Sequence, residues 1–138
     1  MQAATLNNIG LAYQMRGELD AALGYYEQAL PIREAVGDRA GQATTLSNIG
    51  GVHHSSGELD AALDYYERAL PITEAVGDRA GLAVTRCNMA MIYREQGRLA
   101  EAVAELEVVV ELDAAVRSPD LATDTAMLEQ VRAELAGE

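Results

Sequence analysis

Apolar residues recur along this chain at intervals of three and four, the spacing of one face of an α-helix. Leu6, Ile9 and Tyr13 form one such stripe near the N-terminus, and residues 19–30 carry a second. Gly17 lies between them, and a glycine just past a helix end can take a positive φ at little cost. The pattern predicts two helices joined by a tight turn.

The same pattern returns after 40 residues. Residues 17–41 and 57–81 are identical at 22 of 25 aligned positions, and residues 97–103 continue a looser third copy in the same register. Repetition at a fixed period predicts stacked units, each burying its apolar face against a neighbour. We therefore predict an all-α solenoid of three helix-turn-helix repeats and a C-terminal capping helix, with seven helices in one domain. The predicted bounds are 1–138 for the domain, 3–42, 43–82 and 83–122 for the repeats, and 119–136 for the capping helix.

Several residues predict where helices begin and how they end. Asp38 is expected to be the N-cap of the third helix, and Ser118, which precedes a proline, that of the capping helix. Pro31 and Pro71 fall inside the second helix of their repeats, where proline removes a backbone hydrogen bond. Each of these helices either kinks near Gln28 or Arg68 or ends and restarts, and we favour a kink with the helix continuing to Val36 and Val76.

The arrangement resembles the tetratricopeptide repeat family over residues 3–122. That family places a leucine, a small residue and a tyrosine on the first helix, then alanine, tyrosine and alanine on the second. The 40-residue period is similar to the longer repeats of Pins-type adaptors, kinesin light chains and bacterial multi-repeat signalling proteins. The resemblance implies a right-handed superhelix in which the first helix of each repeat lines a concave groove. The matching residues are Leu6, Gly10, Tyr13, Ala22, Tyr26 and Ala29, then Leu46, Gly50, Ala62, Tyr66 and Ala69, while His53 departs from the pattern by standing where the family has tyrosine. In the third repeat, Arg86 and Val109 depart from this pattern.

The resemblance also implies which residues face the groove. The first two repeats differ at 12 of 40 positions, and five of these differences fall on the six groove positions. Asparagine is the exception, because Asn8, Asn48 and Asn88 recur. An asparagine amide can donate one hydrogen bond and accept another at the same time, which suits binding to an extended peptide backbone. The alternative is that these asparagines only cap or solvate an exposed helix. The predicted peptide-binding residues are Asn7, Asn8, Leu11, Gln14, Met15, Ser47, Asn48, His54, Asn88, Met91 and Arg94.

Charge and composition exclude several classes of function. The chain has ten basic residues, all arginine, against 22 acidic ones, a net charge of −12, so no basic surface is expected for nucleic acid. No apolar run is long enough to cross a membrane. The 18 predicted groove positions on the first helices carry one arginine and one glutamate, so a neutral groove is expected. The lone Cys87 suits a reducing, cytoplasmic location, with the residue in the core or the groove.

The sequence predicts a binding module rather than an enzyme. It contains no catalytic constellation, phosphate-binding glycine loop, cofactor motif or metal-ligand spacing; His53 and His54 are adjacent and point apart on a helix. His53 replaces a packing tyrosine and is expected to be buried or half-buried. The expected ligand is a peptide or helical segment of another protein. Two alternatives are a scaffold that self-associates through an uncapped N-terminal face and a sensor array of a longer signalling protein.

Overall fold

The computed structural model describes residues 2–137, and within that range the chain is helical with short turns and no β-strand. The all-α prediction and the predicted number of helices are therefore confirmed for the described residues. The helices are α1 (Ala3–Met15), α2 (Leu19–Ala35), α3 (Arg39–Ser55), α4 (Leu59–Ala75), α5 (Arg79–Glu95), α6 (Leu99–Val116) and α7 (Leu121–Leu135).

The helices form two compact units that divide after Val76. In the first unit α1 packs on α2, α2 on α3 and α3 on α4, so two helical hairpins lie side by side. In the second unit α5 packs on α6 and α6 on α7, a hairpin followed by one more helix. Packing between neighbours in sequence is what the repeated pattern predicts.

Close packing between the two helices of a hairpin depends on the small residue in the first helix. A Cβ added to Gly10 would lie 2.8 Å from Cε1 of Tyr26, whose side chain is fully buried. The same contact recurs between Gly50 and Tyr66, at 3.0 Å. The glycine and the tyrosine ring are therefore complementary parts of one contact, because the ring occupies the space that a side chain would need.

The turns between helices use a left-handed residue at a fixed place in the repeat. Gly37 and Gly77 have φ of +73° and +75°, which a glycine adopts without steric cost. Forty residues later Arg117 stands in that place and still adopts a φ of +53°. The left-handed conformation is thus kept at this place in the repeat even where the residue has a Cβ that opposes it.

The predicted helix starts are correct for α3 and displaced for α7. The Asp38 side chain accepts a hydrogen bond from the Gly41 backbone N–H at 2.9 Å, as an N-cap does. Ser118 Oγ instead accepts from the N–H of Asp120, and the Leu121 N–H bonds to the Ser118 carbonyl. Residues 118–120 therefore form a tight turn, and α7 begins two residues later than predicted.

Both internal prolines lie within continuous helices. The α2 helix runs through Pro31 to Ala35, and α4 runs through Pro71 to Ala75. Each therefore continues past its proline as predicted and ends one residue before the expected valine. Both prolines are exposed, so the ring faces solvent rather than the packed interior.

Candidate functional site

Asn7 and Asn48, both predicted to bind peptide, bind each other in the first unit. Asn48 Nδ2 donates to Asn7 Oδ1 at 3.2 Å, and the Thr45 hydroxyl donates to the same oxygen at 3.4 Å. Asn7 is only 8 % exposed, whereas Asn48 is half-buried. Asn7 therefore joins α1 to α3, and this packing role differs from the ligand contact expected from the sequence. The physical reason is that α3 covers this position on α1.

The other predicted residues of α1 differ in exposure. Asn8 is exposed, and the apolar Leu11 and Met15 are 42 % and 81 % exposed. Gln14 is half-buried, and its Oε1 accepts a hydrogen bond from the Tyr26 hydroxyl at 2.7 Å. Asn8, Leu11 and Met15 thus have exposed surface, while Gln14 also positions the core tyrosine.

On α3 the predicted residues Ser47 and His54 are both half-buried. The neighbouring His53 stacks on Tyr65, with ring centroids 5.3 Å apart, and its side chain is 14 % exposed. In the first repeat Tyr13 stacks on Tyr25 in the same way, at 5.5 Å. His53 is therefore the half-buried packing residue that its position in the repeat predicts.

Arg94, a predicted specificity residue of α5, is bound by α7. Its guanidinium forms a two-pronged ion pair with Glu134, and the Nε to Oε2 distance is 2.9 Å. The hydrogen bond and the charge of Glu134 raise the pKa of Arg94, while the hydrogen bond from Arg94 lowers the pKa of Glu134. Arg94 thus anchors the last helix. The repeat pattern does not reveal this contact, because the register places Glu134 forty residues after Arg94 without saying that the two side chains meet.

The remaining predicted residues of α5 are half-buried, and Asn88 lines a pocket. Met91 lies one turn further along the same helix. The pocket has a volume of about 190 Å³ and is formed by α5, the end of α6 and the start of α7. Cys87 also lines it, together with the carboxyl groups of Asp113, Asp120 and Asp124. The predicted binding residue Asn88 thus lies at the wall of a pocket.

The acidic side chains of this pocket interact with each other. Desolvation raises the pKa of Asp124 to about 7, helped by a hydrogen bond to Asp113 and by the charges of Asp113 and Asp120. Burial and the same three carboxylates raise the pKa of the Cys87 thiol. A thiol held in its protonated form is a poor nucleophile, so the pocket lacks an activated cysteine.

The expectation of a neutral groove is therefore wrong beside Asn88. The sequence count included only the first helix of each repeat, while the acids come from α6, from α7 and from the turn between them. Asp124 occupies the register of the groove position Val84, and Asp113 the register of Thr73. Extending the 40-residue register into α7 would have assigned Asp124 to a groove position. No sequence signal indicated that Asp113 of α6 would lie beside it.

Residues 2–137 contain neither a metal-binding cluster nor a helix suited to span a membrane. No cluster of three or more histidine, cysteine, aspartate or glutamate side chains has an arrangement that could hold a metal ion. None of the helices in this range combines the length and apolarity that a membrane span requires.

A protein-family model matches most of the chain. The model is that of the tetratricopeptide repeat, and it matches residues 1–75 and, in a second overlapping placement, residues 41–115. The two placements are offset by 40 residues, the period of the internal repeat. No curated protein matches the chain over its sequence.

Solved structures of low sequence identity share the fold. The apo form of RapI is 19 % identical with a TM-score of 0.90, covering 99 % of this chain and 38 % of RapI. A Podosopora anserina candidate kinesin light chain with nearly identical TPR-like repeats is 18 % identical with a TM-score of 0.77, covering 93 % and 64 %. BtubC from P. vanneervenii is 18 % identical with a TM-score of 0.75, covering 99 % and 65 %. The chain thus spans less than two thirds of the length of each of these structures.

Proposed function

Because the chain belongs to the tetratricopeptide repeat family, whose repeats are generally protein-interaction modules, we propose that it binds a peptide or helical segment of a partner protein along the first helices of its hairpins. In the first unit the proposed contacts come from α1 and α3. In the second unit, considered by itself, they come from α5. Asparagine amides would bind the main chain of the partner, and exposed apolar side chains would contact its side chains.

The observation that carries this proposal is the positioning of Asn48. Buried Asn7 accepts one N–H of the Asn48 amide and so restricts the orientation of that side chain. A side-chain amide has a second N–H and a carbonyl oxygen, so Asn48 can hold Asn7 and still bind both polar groups of a peptide backbone. An amide fixed before binding loses less conformational entropy when a ligand arrives.

Apolar surface on the same helix as Asn8 supports a peptide ligand. Leu11 lies about one turn beyond Asn8, and Met15 one turn beyond Leu11, so the three residues follow one face of α1. Met15 is 81 % exposed. A flexible thioether at this position adapts to side chains of different shape.

The test begins with peptides selected from a random displayed library against the purified protein. Their dissociation constants are then measured for the wild type, Asn48→Ala and the control Gln28→Ala, which removes an exposed amide from α2. Loss of a backbone hydrogen bond worth about 1–1.5 kcal/mol should weaken binding roughly tenfold in Asn48→Ala alone. Equal affinity of the two variants, with unchanged circular dichroism, would refute the proposed role of Asn48.

Self-association is the second candidate, and exposed apolar residues of the first unit favour it. Val36, at the end of α2, is 72 % exposed, in addition to Met15 on α1. A second copy of the chain could cover these side chains. Sedimentation velocity at increasing concentration tests this, and a sedimentation coefficient that stays at the monomer value would exclude it.

A further inference from the structure

A buried carboxylate near the end of α6 has no cationic partner among the described residues. The Asp113 side chain is 3 % exposed, and its Oδ2 lacks a hydrogen-bond partner within residues 2–137. The residue lies in the last turn of its helix, where the helix dipole opposes a negative charge. Burying a carboxylate is unfavourable unless another group compensates its charge and fills its hydrogen-bonding capacity. The neighbouring Asp124 adds a second acid instead of a base.

The pocket around Asp113 combines this acidic side with apolar walls. Asp113, Asp120 and Asp124 supply carboxyl groups, while Val84 and Val116 supply apolar surface. None of the residues that line the pocket is an arginine or a lysine. A water molecule occupies about 30 Å³ in the liquid. A volume of about 190 Å³ therefore admits a charged group with part of its aliphatic stem.

The pocket lies where the proposed peptide would pass. Val84, Cys87 and Asn88 are groove positions of the third repeat, and all three line the pocket. Val84 is 58 % exposed, so its side chain stands at the rim rather than at the base. A peptide whose main chain binds Asn88 would present the neighbouring side chain to the carboxyl groups.

We infer that this pocket binds a basic side chain, lysine or arginine, of the peptide that the second unit holds. The charged head would contact Asp113 and Asp124, and the methylene stem would lie against Val84 and Val116. The inference rests on the proposed function, and it specifies the chemistry of the ligand at one position. A single positive charge fits better than a metal ion, because the acidic side chains and Cys87 of the pocket are not arranged so that three of them could hold a metal.

The inference can be tested without any selected peptide. The probes are N-acetyl-arginine amide and N-acetyl-lysine amide, and the control is N-acetyl-citrulline amide, a neutral molecule of the same shape as the arginine probe. Binding is followed by backbone amide NMR shifts of the ¹⁵N-labelled full chain. We expect the basic probes to shift Cys87, Asn88 and Asp124 with saturation, and the citrulline probe to bind at least tenfold more weakly.

Charge-neutralising variants locate the binding. Asp113→Asn and Asp124→Asn should each weaken the arginine probe about tenfold, while Glu111→Gln, which removes an exposed charge from the same α6 helix, should leave it unchanged. If Asp113→Asn does not fold, the half-buried Asp124 provides the independent variant. Equal shifts with arginine and citrulline, no shifts at all, or equal loss in Glu111→Gln would overturn the inference.

The pH dependence gives a second readout that a general surface attraction would not show. The pocket groups facing Asp124 are Asp113 from α6, Cys87 from α5 and Asp120 from the preceding turn. With a pKa of about 7, the Asp124 carboxyl is about one tenth ionised at pH 6 and nine tenths at pH 8. The arginine probe should therefore bind up to about tenfold more tightly at pH 8, and a pH-independent affinity would contradict the inference.

These outcomes are separable from those of the proposed function. Asn48 lies in the first unit and does not line the pocket. Probe binding with no effect of Asn48→Ala on selected peptides would retain the basic-side-chain pocket and reject the asparagine role. Peptide binding that requires Asn48, with no probe binding, would retain the asparagine role and reject the basic-side-chain pocket.

Discussion

Replacing Gly10 by alanine should destabilise the first unit, although alanine is the better helix former. In a helix interior this substitution ordinarily gains about 1 kcal/mol. At Gly10 the new Cβ would lie 2.8 Å from Cε1 and 2.9 Å from Cδ1 of Tyr26, and 3.2 Å from the Ala22 carbonyl oxygen. The Tyr26 ring cannot move away freely, because it is fully buried and its hydroxyl donates to Gln14.

The expected loss of stability is obtained by comparing alanine substitutions at two glycines. Overpacking a tight core contact costs about 1–3 kcal/mol. Gly24, inside α2, has no atom within 4 Å of an added Cβ, so Gly24→Ala should show the helix-propensity gain alone. Gly10→Ala should therefore be less stable than Gly24→Ala by about 1–3 kcal/mol, and no more stable than the wild type.

Urea unfolding followed by circular dichroism at 222 nm measures this difference. With a slope of about 2 kcal/mol per molar urea, the two midpoints should differ by roughly 0.5–1.5 M. Equal midpoints, both above that of the wild type, would refute the reasoning that the Tyr26 ring requires a glycine opposite it.

Three further substitutions test the helix ends and the acidic pocket. Arg117→Gly should raise the free energy of unfolding by about 0.5–1 kcal/mol, because removing the Cβ from a residue with φ of +53° relieves about 1–2 kcal/mol and the greater freedom of glycine in the unfolded chain offsets about 0.4–1 kcal/mol of it. An unchanged or lower thermal midpoint would contradict this. Asp38→Ala should cost about 1 kcal/mol in urea unfolding, since the Gly41 N–H loses its acceptor, and Asp38→Asn should retain most of that energy. The pKa of Asp124 is about 7 when folded against an ordinary 3.8, so the folded state binds more protons between these values. Stability should therefore fall as pH rises from about 4 to 7, and Asp124→Asn should flatten this fall; an equal slope in both proteins would exclude Asp124 as its source.

The helices and their pairing follow from the sequence because both depend on local chemistry and on periodicity. Apolar residues at helical spacing, glycines after helix ends and Asp38 before α3 act within a few residues of one another. The 40-residue period then relates each hairpin to the next without reference to distant contacts. Where the chain departs from the repeat, at Ser118 and the start of α7, the predicted boundary is displaced by two residues, compared with one residue at the ends of α2 and α4.

The contacts of the predicted binding residues depend on the tertiary structure much more than the helix positions do. Position in the repeat predicts that Asn7 and Arg94 face a groove, yet α3 buries the first and Glu134 of α7 binds the second. Position on one helix says how a side chain points relative to its own axis. It does not say which neighbouring helix will reach that side chain.

The acidic pocket is the clearest case in which the tertiary structure, and not the repeat pattern, sets the surroundings of a side chain. The sequence establishes a strongly acidic helical repeat protein, and the repeat pattern predicted a neutral groove. Only the packing of α6 against α7 decided that Asp113 would be buried beside Asp124. The physical reason is that two carboxyl groups 11 positions apart in sequence interact strongly only when folding removes water from between them.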